Sequence, residues 1–283
     1  MTRPELTESE FRLISEWLSE EYGLCFGPAK REILRSRLEP RRVALGFESF
    51  EQLYFHLKFH PERERERLAL LPHLTNNESY FFRETGQLEA LRDEVLPELK
   101  RTLEPSGRRE IRILSAGCAS GEEPYTLAMV AREARALSPP WKVRITGVDL
   151  DPEALERAIR AEYGLNAFRR LDEKLRKRYF DVAAPDRWAL KPALRSMVEF
   201  EQANLVNPGW SKGLPPQDIV FCRNVLIYFD DASITVAIQG IYECLVPGGY
   251  LFLGHAESLS RIPTRFAPVR HPGVIFYRRP HDG

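Results

Sequence analysis

Between residues 111 and 254, short β-rich runs alternate with helical stretches, and that order leaves few folds open to the chain. The runs are Ile111–Ala116, Val143–Val148, Val198–Phe200, Asp218–Cys222 and Tyr250–Gly254, and helical patterns at 121–137, 152–162, 172–180 and 231–245 separate most of them. Strands joined through helices pair in parallel, because a parallel partner cannot be reached by a tight hairpin. The end of the chain differs. Ala267–Arg270, the turn His271-Pro272-Gly273 and Val274–Arg278 read as an antiparallel hairpin. The expected fold is therefore α/β, with a mostly parallel, Rossmann-like sheet that closes on an antiparallel hairpin.

Residues 1–72 carry no such alternation and read as a small all-α domain, leaving 73–283 for the sheet domain. Thr7 with Glu10 three residues on is a capping-box pattern, and Phe11, Ile14, Trp17 and Leu18 follow at helical spacing. A second helix is expected after Gly27-Pro28 and a third around Phe50, Leu53, Tyr54 and Leu57. The alternating run Glu62–Arg67 reads as a solvated helix face. Residues 181–197, with Pro185 and Pro192, fit neither pattern and read as a small β insertion.

Charge narrows the function. Forty-one basic residues balance forty-one acidic ones, so no global field favours nucleic acid or an anionic membrane, and charged recognition must be local. No apolar run reaches the ~18 residues of a membrane helix, and Met1–Glu5 lead into no signal-peptide core. Cys25, Cys118, Cys222 and Cys244 form no C-x-x-C pair, so no metal is expected, and three of them sit in apolar surroundings as buried thiols. These features predict a cytoplasmic protein, and nothing in them demands more than a monomer.

The chemistry concentrates after the first β-run. Gly117-Cys-Ala-Ser-Gly121-Glu122-Glu123 is a glycine-bearing turn into a helix start, where open α/β sheets bind ligands. A dinucleotide fingerprint would be G-x-G-x-x-G. Here the spacing is G-x-x-x-G, and two carboxylates follow that would repel a pyrophosphate but suit the ammonium and sulfonium of S-adenosylmethionine. Asp149 ends the second run, where a carboxylate accepts from ribose hydroxyls, and Asp151 before Pro152 suits a helix N-cap.

An ordered set of further motifs spans nearly the whole chain: Asn77–Arg83, Gly121–Tyr125, Asp149–Asp151, Asn204-Leu205, Arg223–Phe229 and Leu245–Ser258. Together they resemble the chemotaxis receptor methyltransferase family (CheR type), whose sheet domain is a class I methyltransferase. The resemblance implies that Asn77, Ser79, Arg83, Gly117, Glu122, Asp149, Asn204, Leu205, Arg223 and Asn224 bind the cofactor, with Glu123 a weaker candidate than Glu122. Family members usually carry Thr where this chain has Ser79, and the hydroxyl is kept. Phe81 and Phe82 are assigned to the core and His255 to a structural role.

The reaction so implied is methyl transfer to glutamate side chains of methyl-accepting chemotaxis proteins, with S-adenosylhomocysteine as product. A carboxylate is already ionised near neutral pH and needs no base, so Arg83 and Tyr228 are expected to orient it. Arg31, Arg35, Arg37, Arg41 and Arg42 are expected to dock the receptor's cytoplasmic domain, with Pro40 a candidate helix break beneath Arg42. The 181–197 insertion is shorter than in members that hold a receptor's C-terminal peptide, so no such tether is expected. A methyltransferase with another substrate, a cofactor-binding signalling adaptor and an NAD-dependent dehydrogenase are the competing readings.

Overall fold

The computed structural model describes residues 5–281, which divide into two compact units. The helical unit comprises residues up to Asn76 together with Tyr228–Ile234, and Asn77–Ile227 with the remaining C-terminal residues form the sheet unit.

In the helical unit, α1 (Glu8–Tyr22) opens on the predicted box: Thr7 accepts from the Glu10 N–H, and the Glu10 carboxylate accepts from the Thr7 N–H at 2.9 Å. It buries Phe11, Ile14, Trp17 and Leu18 and stops at Gly23, whose φ of 70° suits a residue without Cβ. Helix α2 (Arg31–Ala44) runs on through Pro40, so the proline does not break it. Ser49 and Gln52 cap α3 (Phe50–Phe59), and α4 (Arg63–Leu74) follows. The Glu62–Arg67 run is not wholly solvated. Glu66 is buried against Arg41, while Arg67 donates to the Leu57 carbonyl and lies over the Trp17 ring. A two-residue charge alternation on a 3.6-residue helix must turn some charges inward.

In the sheet unit a helical stretch, α5 (Thr85–Ala90), a π-turn at Leu91–Val95 and α6 (Leu96–Leu103), leads to β1 (Glu110–Ala116). Then follow α7 (Glu122–Glu133), β2 (Lys142–Asp149), α8 (Pro152–Arg160), β3 (Glu162–Gly164), α9 (Glu173–Tyr179), β4 (Phe180–Ala184), β5 (Arg187–Leu190), α10 (Pro192–Arg195), β6 (Val198–Gln202), β7 (Gln217–Cys222), α11 (Asp231–Cys244), β8 (Leu245–Leu253), β9 (Ala267–His271) and β10 (Val274–Arg278). The main sheet has the order β6-β2-β1-β7-β8-β10-β9. Its first five strands pair in parallel, and β10 is antiparallel to both β8 and β9. From central β1 the chain first builds toward β2 and β6, then returns to β7 and β8, which opens a crevice at the carboxyl ends of β1 and β7.

The β insertion is real but larger than 181–197. β3 joins β5 and β4 in a three-stranded sheet, because α8 ends at Arg160 with Ala161 in the left-handed region. A strand of three residues is too short for an alternating pattern to reveal it. An aromatic cluster fastens this sheet to the Asn77–Arg83 segment: the fully buried Phe81 ring meets Tyr163 at 4.8 Å, Phe168 at 5.5 Å and Phe180 at 5.1 Å between centroids. Phe81→Ala should therefore cost about 3–5 kcal/mol in denaturant unfolding, the usual range for deleting a buried phenyl ring. A loss below 1 kcal/mol would mean that the cluster does not hold the segment.

Candidate functional site

The crevice is built around the turn after β1. The N–H groups of Gly117 and Cys118 both donate to the Val148 carbonyl, at 2.8 and 3.0 Å, tying the turn to the end of β2. Asp149 locks it from beside that carbonyl: its buried carboxylate accepts from the Ala119 N–H at 2.7 Å and from the Asp151 N–H at 3.0 Å. Burial raises the Asp149 pKa, and these backbone hydrogen bonds pull it back down. Asp151 caps α8 through the Glu153 and Ala154 N–H groups, as expected, and accepts from Asn77 Nδ2 at 2.6 Å. Asn77 is thus joined to the second strand's loop.

Glu122, 5% exposed as a residue, begins α7 with Oε2 buried without a hydrogen-bond partner. Burial pushes its pKa up to about 7, and a hydrogen bond from Ser79 opposes the shift. A buried carboxyl oxygen with nothing to accept from is costly unless a ligand donor supplies the missing bond. Glu123 points elsewhere: Oε1 accepts from Ser115 Oγ and Oε2 from Arg223 Nε, both at 2.7 Å. Arg223, expected to meet the cofactor, directs its guanidinium at Glu123 and the Arg83 carbonyl.

Asn224 has a φ of 60°, and Phe82, Glu84 and Ala119 are also left-handed at 59°, 57° and 47°. At Phe82, Glu84 and Ala119 this costs about 1–2 kcal/mol each, and less at Asn224 because asparagine tolerates the region, so surrounding contacts must hold them. At Asn224 the holder is Glu257, a residue to which the sequence reading gave no role. Its carboxylate accepts from the N–H groups of Asn224, Val225 and Gly254 at 2.7–2.9 Å and from that of Ile227 at 3.3 Å. Its trace in the sequence is its place in the Leu245–Ser258 motif, as an acidic residue shortly beyond the last parallel strand. Beyond β6, Leu205 is buried, and Asn204 Oδ1 accepts from the Val206 N–H, closing a turn that the Ala203 N–H ties to the Asp149 carbonyl. Arg83 is half-buried, donating to the Glu78 carbonyl at 3.3 Å and lying 5.6 Å from the Tyr80 ring centroid. His255 is exposed, with Nδ1 3.1 Å from Glu84.

Asn77, Ser79, Arg83, Gly117, Glu122, Asp149, Asn204, Leu205, Arg223 and Asn224 all belong to the sheet unit. Tyr228 belongs to the helical unit, where its hydroxyl accepts from Asn76 Nδ2 at 2.9 Å and its carbonyl from the Cys25 N–H at 2.9 Å. The five arginines of α2 all have protein partners: Arg31 pairs with Glu8, Arg35 with Glu32, Arg41 with Glu66 and Arg42 with Glu39, while Arg37 donates to the Leu74 carbonyl. Arg42 is buried, so the docking set expected of the five arginines loses one member. Cys118, Cys222 and Cys244 are buried thiols and Cys25 is exposed. Among the described residues no helix is long and apolar enough to cross a membrane.

A parallel sheet whose first turn is latched by the acidic end of the second strand, with a partnerless carboxyl at the next helix start, defines a cofactor-binding α/β enzyme of the class I methyltransferase type. Comparison with known proteins is more specific. Residues 77–275 match the family described as CheR methyltransferase, SAM binding domain, and residues 9–75 its all-alpha domain. Chemotaxis protein methyltransferase 2 of Vibrio cholerae is 36% identical over 278 residues, 98% of this chain and 95% of that protein. Chemotaxis protein methyltransferase 1 of Pseudomonas aeruginosa is 37% identical over 273 residues, covering 95% and 97%. The chain belongs to the CheR chemotaxis methyltransferase family, and S-adenosylmethionine is its cofactor.

Glycine at 117 is required by packing as much as by any ligand. Its φ is 79°, and a Cβ there would lie 2.3 Å from Val225 Cγ2. Gly117→Ala should lower unfolding free energy by about 2–4 kcal/mol, from left-handed strain together with the overlap. A thermal melt matching the parent's would show that the turn relaxes freely.

Proposed function

We propose that this protein transfers the methyl group of S-adenosylmethionine to glutamate side chains of a chemoreceptor's cytoplasmic domain, giving methyl esters. The carrying observation is the buried, partnerless Oε2 of Glu122 at the crevice, which fits a cationic amino group and suits no phosphate. Full-length likeness to chemotaxis methyltransferases supports the receptor as substrate.

When bound, the cofactor supplies an electrophilic methyl on a sulfonium. The residues of the chain bind and orient. Glu122 receives the ammonium, Asp149 the ribose hydroxyls, and Asn77, Ser79, Gly117, Asn204, Leu205 and Asn224 line the remainder. Arg83 orients the incoming carboxylate without gripping it, since tight pairing would quench the nucleophile. The matching role of Tyr228 rests on the Arg223–Phe229 motif rather than on geometry. No general base is required, because a glutamate with an ordinary pKa of about 4.3 is ionised at neutral pH. Receptor docking is assigned to Arg31, Arg35, Arg37 and Arg41. Exposed pairs such as Arg31–Glu8 hold by only about 0–1 kcal/mol and can be exchanged for receptor carboxylates.

Incubation with methyl-labelled cofactor and a receptor signalling fragment should give base-labile label released as methanol. The label should vanish when the receptor glutamates become alanine. Arg83→Ala should cut turnover about 100-fold or more, the scale of lost orientation, and near-parental turnover would sink its role. Label absent from the parent protein despite firm S-adenosylhomocysteine binding would move the substrate elsewhere.

The pKa of Glu122 sets a pH dependence. It is raised above the ordinary carboxyl value, so the free protein keeps this proton up to about pH 7, and an ammonium ligand must displace it. Affinity for S-adenosylhomocysteine, followed by calorimetry, should rise about tenfold between pH 6 and pH 8 and level off above that. Glu122→Gln should bind weakly with a flat profile. An unchanged slope in that variant would remove Glu122 from the ligand set.

A further inference from the structure

We propose that Arg223 is a positioning residue that clamps the backbone of Arg83, and that its guanidinium is not a ligand of the cofactor. The inference rests on the reading of Arg83 as the group that orients the methyl acceptor. Arg223 follows the last residue of β7, and its side chain is 2% exposed. Four groups of the protein surround it: Nε donates to Glu123 Oε2 at 2.7 Å, Nη1 donates to the Arg83 carbonyl at 2.9 Å and, more weakly, to Gln87 Oε1 at 3.4 Å, and Glu84 Oε2 lies 3.9 Å from Nη1. The cation also lies 5.3 Å from the Phe221 ring centroid. Glu123 is anchored in turn by Ser115 Oγ on β1 at 2.7 Å. A buried charge pair is tolerated where hydrogen bonds use its remaining donors, and here the shorter of the two bonds from Nη1 goes to a backbone carbonyl.

That carbonyl lies in unusual backbone. Phe82 and Glu84, on either side of Arg83, are both left-handed, so the segment relaxes unless it is held. The Phe82 N–H donates to Thr126 Oγ1 at 3.2 Å, the Phe81 N–H to the Ala167 carbonyl at 2.9 Å, and Arg223 supplies the charged contact. The Arg83 side chain has only a 3.3 Å bond to Glu78 and a 5.6 Å approach to the Tyr80 ring. Contacts that weak leave its aim to the backbone, and the backbone is set by a chain running from Ser115 through Glu123 and Arg223. Lysine in place of Arg223 has a point donor without the fork and cannot serve both partners with the same geometry.

The test uses the full chain with Arg223→Gln, Arg223→Lys and each combined with Arg83→Ala. Amide exchange over Arg83–Thr85 should quicken about tenfold in Arg223→Gln while the β1 and β7 amides keep their protection. S-adenosylhomocysteine affinity should stay within about threefold, and turnover at saturating cofactor should fall about 100-fold, with Arg223→Lys between the two. In the Arg83→Ala background the same change should cost less than about threefold, because a residue acting through Arg83 has nothing left to position. An equal loss in both backgrounds, or unchanged exchange with affinity lowered more than about 30-fold, would overturn the proposal. Should Arg223→Gln not fold, Glu123→Gln with Arg223→Gln removes both buried charges and is measured in the same way. Exchange and cofactor affinity decide the clamp even if the receptor proves not to be the substrate, an outcome that the labelling experiment reports separately.

Discussion

The carboxylate of Asp149 holds the crevice together. Parallel strands leave their connecting loops at one edge of the sheet, and nothing in the strand ladder fixes where those loops stand. Asp149 solves this by accepting the Ala119 N–H from the turn after β1 and the Asp151 N–H from the turn after β2. With that latch in place, Asp151 can cap α8 and receive Asn77, and the helix start at Glu122 stands over the crevice. The cost is a carboxyl kept in a buried setting, offset by backbone donors.

A second carboxylate, Glu257, does the same work on the other side of the crevice. Four backbone N–H groups converge on it, among them that of the left-handed Asn224. Between the two lies the Glu123–Arg223 pair, which reaches the backbone of Arg83. Three acidic side chains thus act inside the protein as anchors for strained loops, whereas Glu122 keeps a buried oxygen without a hydrogen-bond partner. The left-handed residues Phe82, Glu84, Ala119 and Asn224 lie beside these anchors, which hold the backbone there.

Much of this was legible in the residues. The alternation of β-rich and helical runs carried the main sheet, and the HPG turn carried the β9–β10 hairpin, because both depend on local periodicity and turn chemistry. The N-cap role of Asp151 was also readable, since a proline at the next position marks an N-cap, whereas the backbone latch at Asp149 was not. Other features were not. β3 is three residues long and finds its partner across more than twenty residues of chain, so no local pattern announces it. The acidic character of Glu122 and Glu123 suggested one shared task, yet the fold gives them different ones, because consecutive residues on a helix point about 100° apart.

The arginines of α2 make the same point. Their spacing placed them on a helix, but whether each faces solvent or a neighbouring glutamate depends on helices that are distant in sequence: Arg31 meets Glu8 and Arg41 meets Glu66. By itself, then, the sequence determined the fold class, the order of the main-sheet strands and the acidic, glycine-bearing turn after β1, because these are properties of neighbouring residues. Only the tertiary structure decided which carboxylate is left without a partner and which side chains hold others in place. Both depend on burial and on contacts between segments a hundred residues apart, such as Glu123 and Arg223.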